Sequence, residues 1–158
     1  MLQRLAHLSG ALLLAAGLAG AAPAAPSGKT LPYWASLAKG DARMRVGPSL
    51  DYPASWIYQR RDLPVKVIEV YSNWRKVEDP DGTQGWMHVR LLKDEPTAMV
   101  KGEIAAMHDR ASSGGRVIYR LAPGVVGRLS GCADGWCAIN VNGTRGYVLA
   151  DELWGATD

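Results

Sequence analysis

The side chains able to do chemistry are few and scattered. Beyond its first 25 residues the chain holds two histidines, His88 and His108, and two cysteines, Cys132 and Cys137. Nucleophilic catalysis needs a nucleophile, a base and an orienting group converging in one cleft. Neither histidine stands in a local motif of that kind, so both read as surface or strand-face residues and no catalytic centre is expected. A bound metal would need His, Cys or carboxylate ligands at converging spacing. No such spacing is present, and no metal or cofactor is expected. The acidic run Glu78-Asp79-Pro80-Asp81 reads as a solvated turn rather than a cation site.

The cysteines flank Ala133-Asp134-Gly135-Trp136. With Asp134-Gly135 as a two-residue turn, Ala133 faces Trp136 and Cys132 faces Cys137. Directly opposed positions place Cβ atoms about 4.5–5.5 Å apart, close to disulfide range. The spacing predicts a disulfide, with two buried free thiols as the alternative. So short a loop gives a modest entropic gain.

Aromatic residues are the informative class: six Trp, six Tyr and no Phe. Trp and Tyr join a large apolar body to a polar handle, which suits binding surfaces as well as cores. Tyr52, Trp56 and Tyr58 lie in or beside the long loop at 47–53, where binding residues concentrate. They are candidate groove residues, packing over the end of the fold being the alternative. Trp74 and Trp86 belong to a hairpin and divide between core support and exposed surface. Arg60, next to Arg61, offers a planar fork for a carboxylate, or forms part of a solvated charge pair. The later part of the chain shows Val117 near the position corresponding to Trp56, so the first half is favoured as the binding half.

The elements that position these residues come in two copies. Asn73-Trp74-Arg75-Lys76-Val77 and Gly82-Thr83-Gln84-Gly85-Trp86-Met87 are echoed by Gly135-Trp136-Cys137-Ala138-Ile139 and Gly143-Thr144-Arg145-Gly146-Tyr147-Val148, at steps of 61–62 residues. A fixed period decides architecture before any single residue does, and two copies of this length predict two small units. Each motif reads as a hairpin. Trp74, Lys76 and Glu78 alternate with Arg75 and Val77, and Asn142-Gly143 is a strong hairpin turn because both central residues of a type I′ turn need positive φ. The same residues match a glycosylation acceptor; the turn is the preferred reading. Gly85 and Gly146 inside return strands mark bends or close backbone approaches. A phase slip is expected at Ile68 in the strand 63–71, and single helical turns at 89–92 and 150–153. No run of ten or more residues has helical period, so the class is all-β.

The first residues bound the compartment. Arg4, then the apolar Leu8 to Leu18, then small residues at 19–25, read as a secretory signal peptide over 1–25, too short to span a bilayer. A flexible leader over 26–32 precedes units at 33–95 and 96–156. Formal net charge is +3. The two halves are nearly balanced in charge, so nucleic acid is not an expected partner, nor is membrane after signal cleavage.

Val46-Gly47-Pro48, Leu63-Pro64-Val65, Asn73-Trp74-Arg75, Asp81-Gly82-Thr83-Gln84-Gly85-Trp86, Ala122-Pro123-Gly124-Val125 and Leu153-Trp154-Gly155 together resemble the bacterial SH3 (SH3b) family, in particular its exported tandem branch in Gram-negative bacteria. The resemblance spans roughly residues 31–155. It implies a partly open, five-stranded barrel in each half and a non-enzymatic binding module of a kind often appended to wall hydrolases. The expected protein is therefore periplasmic or secreted and holds cell-wall peptidoglycan or peptide through aromatics of the first repeat. The alternative is a periplasmic adaptor for another protein. Fold alone does not decide between them.

Overall fold

The computed structural model describes residues 28–156. The expected signal peptide lies outside them, as does the start of the leader. Two seven-stranded antiparallel sheets follow one another along the chain. The first holds β1 (Tyr33–Leu37), β2 (Ala42–Arg45), β3 (Ala54–Tyr58), β4 (Pro64–Tyr71), β5 (Trp74–Glu78), β6 (Gln84–His88) and β7 (Leu92–Lys93), in the order β3-β2-β6-β5-β4-β1-β7. The second holds β8 (Thr97–Val100), β9 (Ala105–His108), β10 (Val117–Leu121), β11 (Val126–Ala133), β12 (Trp136–Val141), β13 (Thr144–Leu149) and β14 (Leu153–Trp154), in the matching order. Each unit has seven strands where five are implied, and one of the additions is a two-residue closing strand paired with the strand that opened the unit. Short 3-10 turns at Val89–Leu91 and Ala150–Glu152 lead into those closing strands, where single helical turns are expected.

Period-2 alternation builds two separate cores. Ala42 and Met44 of β2, Val65 and Val67 of β4, Val77 of β5 and Met87 of β6 point inward with Leu37. Ala105, Met107, Cys137, Ile139 and Val148 do so in the second unit. Each fully buried Val, Leu or Met contributes about 1.5–3 kcal/mol of transfer free energy. The ladder of β4 shifts register between Val67 and Glu69, the slip expected at Ile68, and β11 shifts between Leu129 and Gly131.

Pairing register equates positions across the units and corrects two expectations. Met44 faces Trp56, and Met107 faces Tyr119. The counterpart of Trp56 is therefore Tyr119, not Val117; a bulge between Val117 and Tyr119 hides the correspondence from simple spacing. The loops after β2 (46–53) and β9 (109–116) have equal length, although turn residues alone suggest a shorter loop after β9.

Turn chemistry follows the sequence. Asn142 and Gly143 have φ of 50° and 90°, both positive as a type I′ turn requires. Asp134 and Gly135 do the same at 51° and 77°, so Cys132 opposes Cys137 and the pair forms a disulfide. Gly85 and Gly146 are close approaches: a Cβ on Gly85 would lie 2.5 Å from Met44 Cγ, and one on Gly146 2.6 Å from Met107 Cγ. Overpacking of this kind costs about 1–3 kcal/mol. Gly85→Ala is expected to lower stability by that amount in denaturant titration; an unchanged midpoint would show that Met44 moves aside freely.

The units dock through their opening and closing strands. The Trp34 and Trp154 rings meet edge-on at 4.9 Å, with Lys66 Nζ 5.4 and 5.2 Å from their centroids, and Trp154 Nε1 donates to Pro64 O at 3.2 Å. Thr97 Oγ1 donates to Asp62 O at 2.8 Å, and Met99 and Val126 pack against the first core. Lys93 Nζ bonds Asp62 and Glu95, both at 2.5 Å, and Arg128 Nε reaches Glu95 at 3.0 Å. Partial desolvation works against the Lys93 ammonium, yet its two carboxylates hold its pKa above the ordinary lysine value. The hydrogen bond from Lys93 holds Glu95 below the ordinary glutamate value. The depressed carboxyl stabilises the fold above its unfolded pKa and loses that contribution as pH falls through its folded value. The raised ammonium stabilises below its unfolded pKa and loses that contribution as pH rises through its folded value. Lys93→Met is therefore expected to lower the melting temperature at neutral pH and to differ little from wild type in strong acid. An equal deficit at both pH values would refute the ion-pair account.

Candidate ligand-binding groove of the first unit

On the outer face of the first sheet, alternation that sends Ala42 and Met44 inward sends Arg43 and Arg45 outward. The same rule turns Trp74 of β5 and His88 of β6 to that face, and β5, β6 and β2 are neighbours in the sheet. Trp74 pairs across the ladder with His88, and its ring takes the imidazole edge-on at 5.3 Å. Lys39 and Asp41 lie just before β2, Arg90 and Leu91 sit in the 3-10 turn, and Leu50 comes from the loop above. Together these nine residues line a groove of about 460 Å³ with Trp74 and His88 among its walls. Trp74 is only 9% exposed although it faces away from the core.

The loop at one rim is tied down. Arg45 Nη1 donates to Tyr52 O at 2.6 Å and to Leu50 O at 3.2 Å. The Tyr52 ring lies over Gly47, where a Cβ would sit 2.6 Å from it. Ser49 Oγ donates to the Asp51 carboxylate at 2.9 Å and accepts from Asp51 N. At the opposite rim Arg90 N donates to His88 Nδ1 at 3.2 Å, which sets the proton of a neutral imidazole on Nε2.

The six predicted site residues occupy six different places. Trp74 lines the groove. Tyr52 stacks on its own loop beside it and is half exposed. Trp56 lies on β3, the sheet edge, 57% exposed, with Ile57 also exposed next to it. Trp86 is half-buried on the outer face, opposite Arg45 and Lys76 in the ladders, and is not among the groove-lining residues. Tyr58 is buried, and its hydroxyl donates to Asp79 Oδ2 at 2.7 Å. Arg60 reaches across the junction, donating from Nη2 to the Gly124 carbonyl.

Asp79 departs from the expected solvated turn. It is 5% exposed, and its Oδ1 accepts from Asp81 N and Thr83 N while Oδ2 takes Tyr58. Burial first, then Asp79, pushes the Tyr58 phenol well above its ordinary range. The second unit replaces this polar pair: Leu121 occupies the Tyr58 position, facing Ala105 as Tyr58 faces Ala42, and Val141 the Asp79 position. The sequence carries the signal, a phenol and a carboxylate exchanged together for two aliphatics, but it is readable only once the register is known.

Arg75 is a structural residue that the sequence does not single out. It is 4% exposed; Nε donates to Tyr33 Oη and Nη1 to the carbonyls of Ser72 and Trp74, all at 3.0 Å. It occupies the position that Cys137 holds in the second unit, since Val70 faces Arg75 as Cys132 faces Cys137. A hydrogen-bonded guanidinium clasps one hairpin and a disulfide the other.

His88 and His108 stand in different units, and His108 packs edge-on against Trp136 at 5.2 Å. Among the described residues no group of three or more His, Cys, Asp or Glu is placed to hold a metal, and no helix is long and apolar enough to cross a membrane.

A family profile described as bacterial SH3 domain matches residues 38–94 and again 101–155. The chain belongs to the bacterial SH3 domain family. Domains of this family are typically non-catalytic and generally bind cell-wall or peptide ligands. No curated protein matches the chain. Among solved structures it is similar to NlpC1 from Trichomonas vaginalis, at 18% identity and a TM-score of 0.36 over 82% of this chain and 48% of that one. NlpC2 from the same organism gives 18% identity and 0.35 over 78% and 48%. An NlpC/P60 family protein from Bacillus cereus gives 12% and 0.35 over 78% and 57%. The chain thus spans about half the length of these proteins. The disulfide of this bacterial SH3 protein points to an oxidising, extracytoplasmic compartment.

Removing the Tyr58 hydroxyl tests the Asp79 pair. Tyr58→Phe leaves a buried carboxylate one donor short, and a hydrogen bond to a charged group contributes about 1.5–3 kcal/mol. Denaturant titration is expected to show a loss of that size, whereas a neutral effect would place Asp79 in contact with water.

Proposed function

We propose that this protein is an exported, non-catalytic binding module of the periplasm that holds cell-wall peptidoglycan, or peptide belonging to it, through its first SH3 unit. The observation that carries the reading is the outer-face groove, which sets Trp74, an aromatic predicted to bind, among walls contributed by three strands, a loop and a 3-10 turn. Concave sites with an apolar bed and a few convergent polar groups are the usual location for ligands. The family's general preference for wall and peptide ligands supports the same reading. On this account the tandem fold supplies a single gripping surface, and the second unit braces the first across the Trp34–Trp154 junction.

A second reading has its own observation. The edge strand β3 exposes Trp56 and Ile57, and its free ladder side could accept a strand from a partner protein. That would make the protein a periplasmic adaptor.

A pull-down on purified sacculi separates the two. The chain from residue 26 onward is expected to be retained at low salt, with Trp74→Ala cutting the retained fraction about tenfold, equivalent to ~1.4 kcal/mol of binding. Thermal melts of the variant control for misfolding. No retention of wild type sinks the wall reading, and recovery of one stoichiometric partner protein, lost in Trp56→Lys, establishes the adaptor instead.

A further inference from the structure

We infer that the first-unit groove selects a carboxylate-bearing peptide segment, and that each chain has one such site. This rests on the binding role proposed above and names the class of its ligand. Of the charged groups lining the groove, Lys39, Arg43, Arg45 and Arg90 are cationic and Asp41 alone is anionic, a net charge of +3. None of the four cations makes an ion pair within 4.0 Å among the described residues, whereas Lys29, Lys66, Lys76, Lys93, Arg116 and Arg128 each do. Like charges gathered in one concavity repel, and the cavity walls concentrate their field.

The duplicated template serves as an internal control. Leu37 faces Leu92 as Val100 faces Leu153, and Arg45 faces Trp86 as His108 faces Tyr147. That register aligns Lys39, Asp41, Arg43 and Arg45 with Gly102, Ile104, Ala106 and His108. Trp74 faces His88 as Trp136 faces Leu149, which carries Arg90 and Leu91 onto Asp151 and Glu152. The tryptophan is kept and every Lys and Arg is gone; the formal charge of the surface becomes −2 with His108 neutral. Glu152 even titrates above its ordinary range, through desolvation and then the neighbouring Asp151. Since the same backbone folds with the opposite charge, the cations are not a requirement of the fold. Only Arg45 has a structural task, holding the 47–53 loop.

What the groove offers is the forks of Arg43 and Arg90, with Arg45 held to the loop beside them, and a lysine around an apolar bed of Leu50, Trp74 and Leu91. Forked guanidinium groups match carboxylates two oxygens at a time. The apolar bed takes aliphatic or planar atoms next to the charge, and Asp41 inside the groove repels the contiguous charge of a polyphosphate more than the spaced carboxylates of a peptide. An acidic peptide fits both features.

The test is equilibrium titration of the chain from residue 26 onward with hexaglutamate, followed by tryptophan fluorescence and by two-dimensional NMR. Hexaglycine and polyphosphate are the comparison probes. Expected are saturation at one hexaglutamate per chain, affinity falling as salt rises, and shifts centred on Trp74 and His88. Arg43→Ala/Arg90→Ala is expected to weaken binding about tenfold or more, while Arg110→Ala/Arg145→Ala, outside the groove, leaves it unchanged. A gain-of-function variant guards against trivial unfolding: Ala106→Arg/Asp151→Arg/Glu152→Leu turns the corresponding surface of the second unit from −2 to +2 and is expected to raise the stoichiometry to two. Absence of saturable binding, equal affinity for hexaglycine, tighter binding of polyphosphate, or indifference to Arg43→Ala/Arg90→Ala overturns the inference. Sacculus retention that survives Arg43→Ala/Arg90→Ala leaves wall binding standing and removes the acidic-peptide assignment; hexaglutamate binding without sacculus retention does the reverse.

Discussion

No side chain fits between Met44 and the backbone of β6 at Gly85. The absent Cβ lets β2 lie against β6, with Arg45 opposite Trp86, and so brings the first strands of the unit against the return strand of the central hairpin. Everything on the outer face follows from that contact. It sets the outward residues of β2 beside Trp74 and His88, and it gives the 46–53 loop a fixed base to fold back on. The second unit repeats the arrangement with Met107 and Gly146. A flexible thioether suits such a contact because it fills an irregular gap in several rotamers.

Local pattern carries most of the architecture. Alternation marks the strands, Asn142-Gly143 and Asp134-Gly135 mark the turns, and opposed cysteines follow from the second turn without further assumptions. The hairpin's outward set of Trp74, Lys76 and Glu78 is also legible, because period 2 is a property of the backbone alone. The groove is legible only in part. Trp74 stands out as an aromatic of the hairpin, but Lys39, Arg43 and Arg90 read as ordinary solvated charges along the chain. Their convergence depends on which strands are neighbours, and Arg90 arrives from 47 residues beyond Arg43. The places of Tyr58 and Arg60 are hidden for the same reason: their partners, Asp79 and the Gly124 carbonyl, lie far away in sequence. Asp79 reads as solvated because its immediate neighbours are polar, while its carboxylate is buried under a tyrosine from another strand.

The two units show how freely one template can be re-equipped. A buried phenol–carboxylate pair in the first becomes leucine and valine in the second, exchanging hydrogen-bond specificity for an apolar contact that needs no partner. A cationic outer surface becomes acidic around a retained tryptophan. Even the edge-on histidine is supplied differently, from the end of β6 for Trp74 and from the end of β9 for Trp136.

The hairpin clasps differ in a way that matters for where each half holds its shape. The covalent link between Cys132 and Cys137 is confined to the second unit, while the corresponding place in the first is secured by the Arg75 guanidinium and neutral oxygens. A thiol reductant therefore loosens the half without the cationic groove and spares the half that has it. The unit with the groove keeps its form before oxidation, and the second unit is the part whose maturation depends on the compartment.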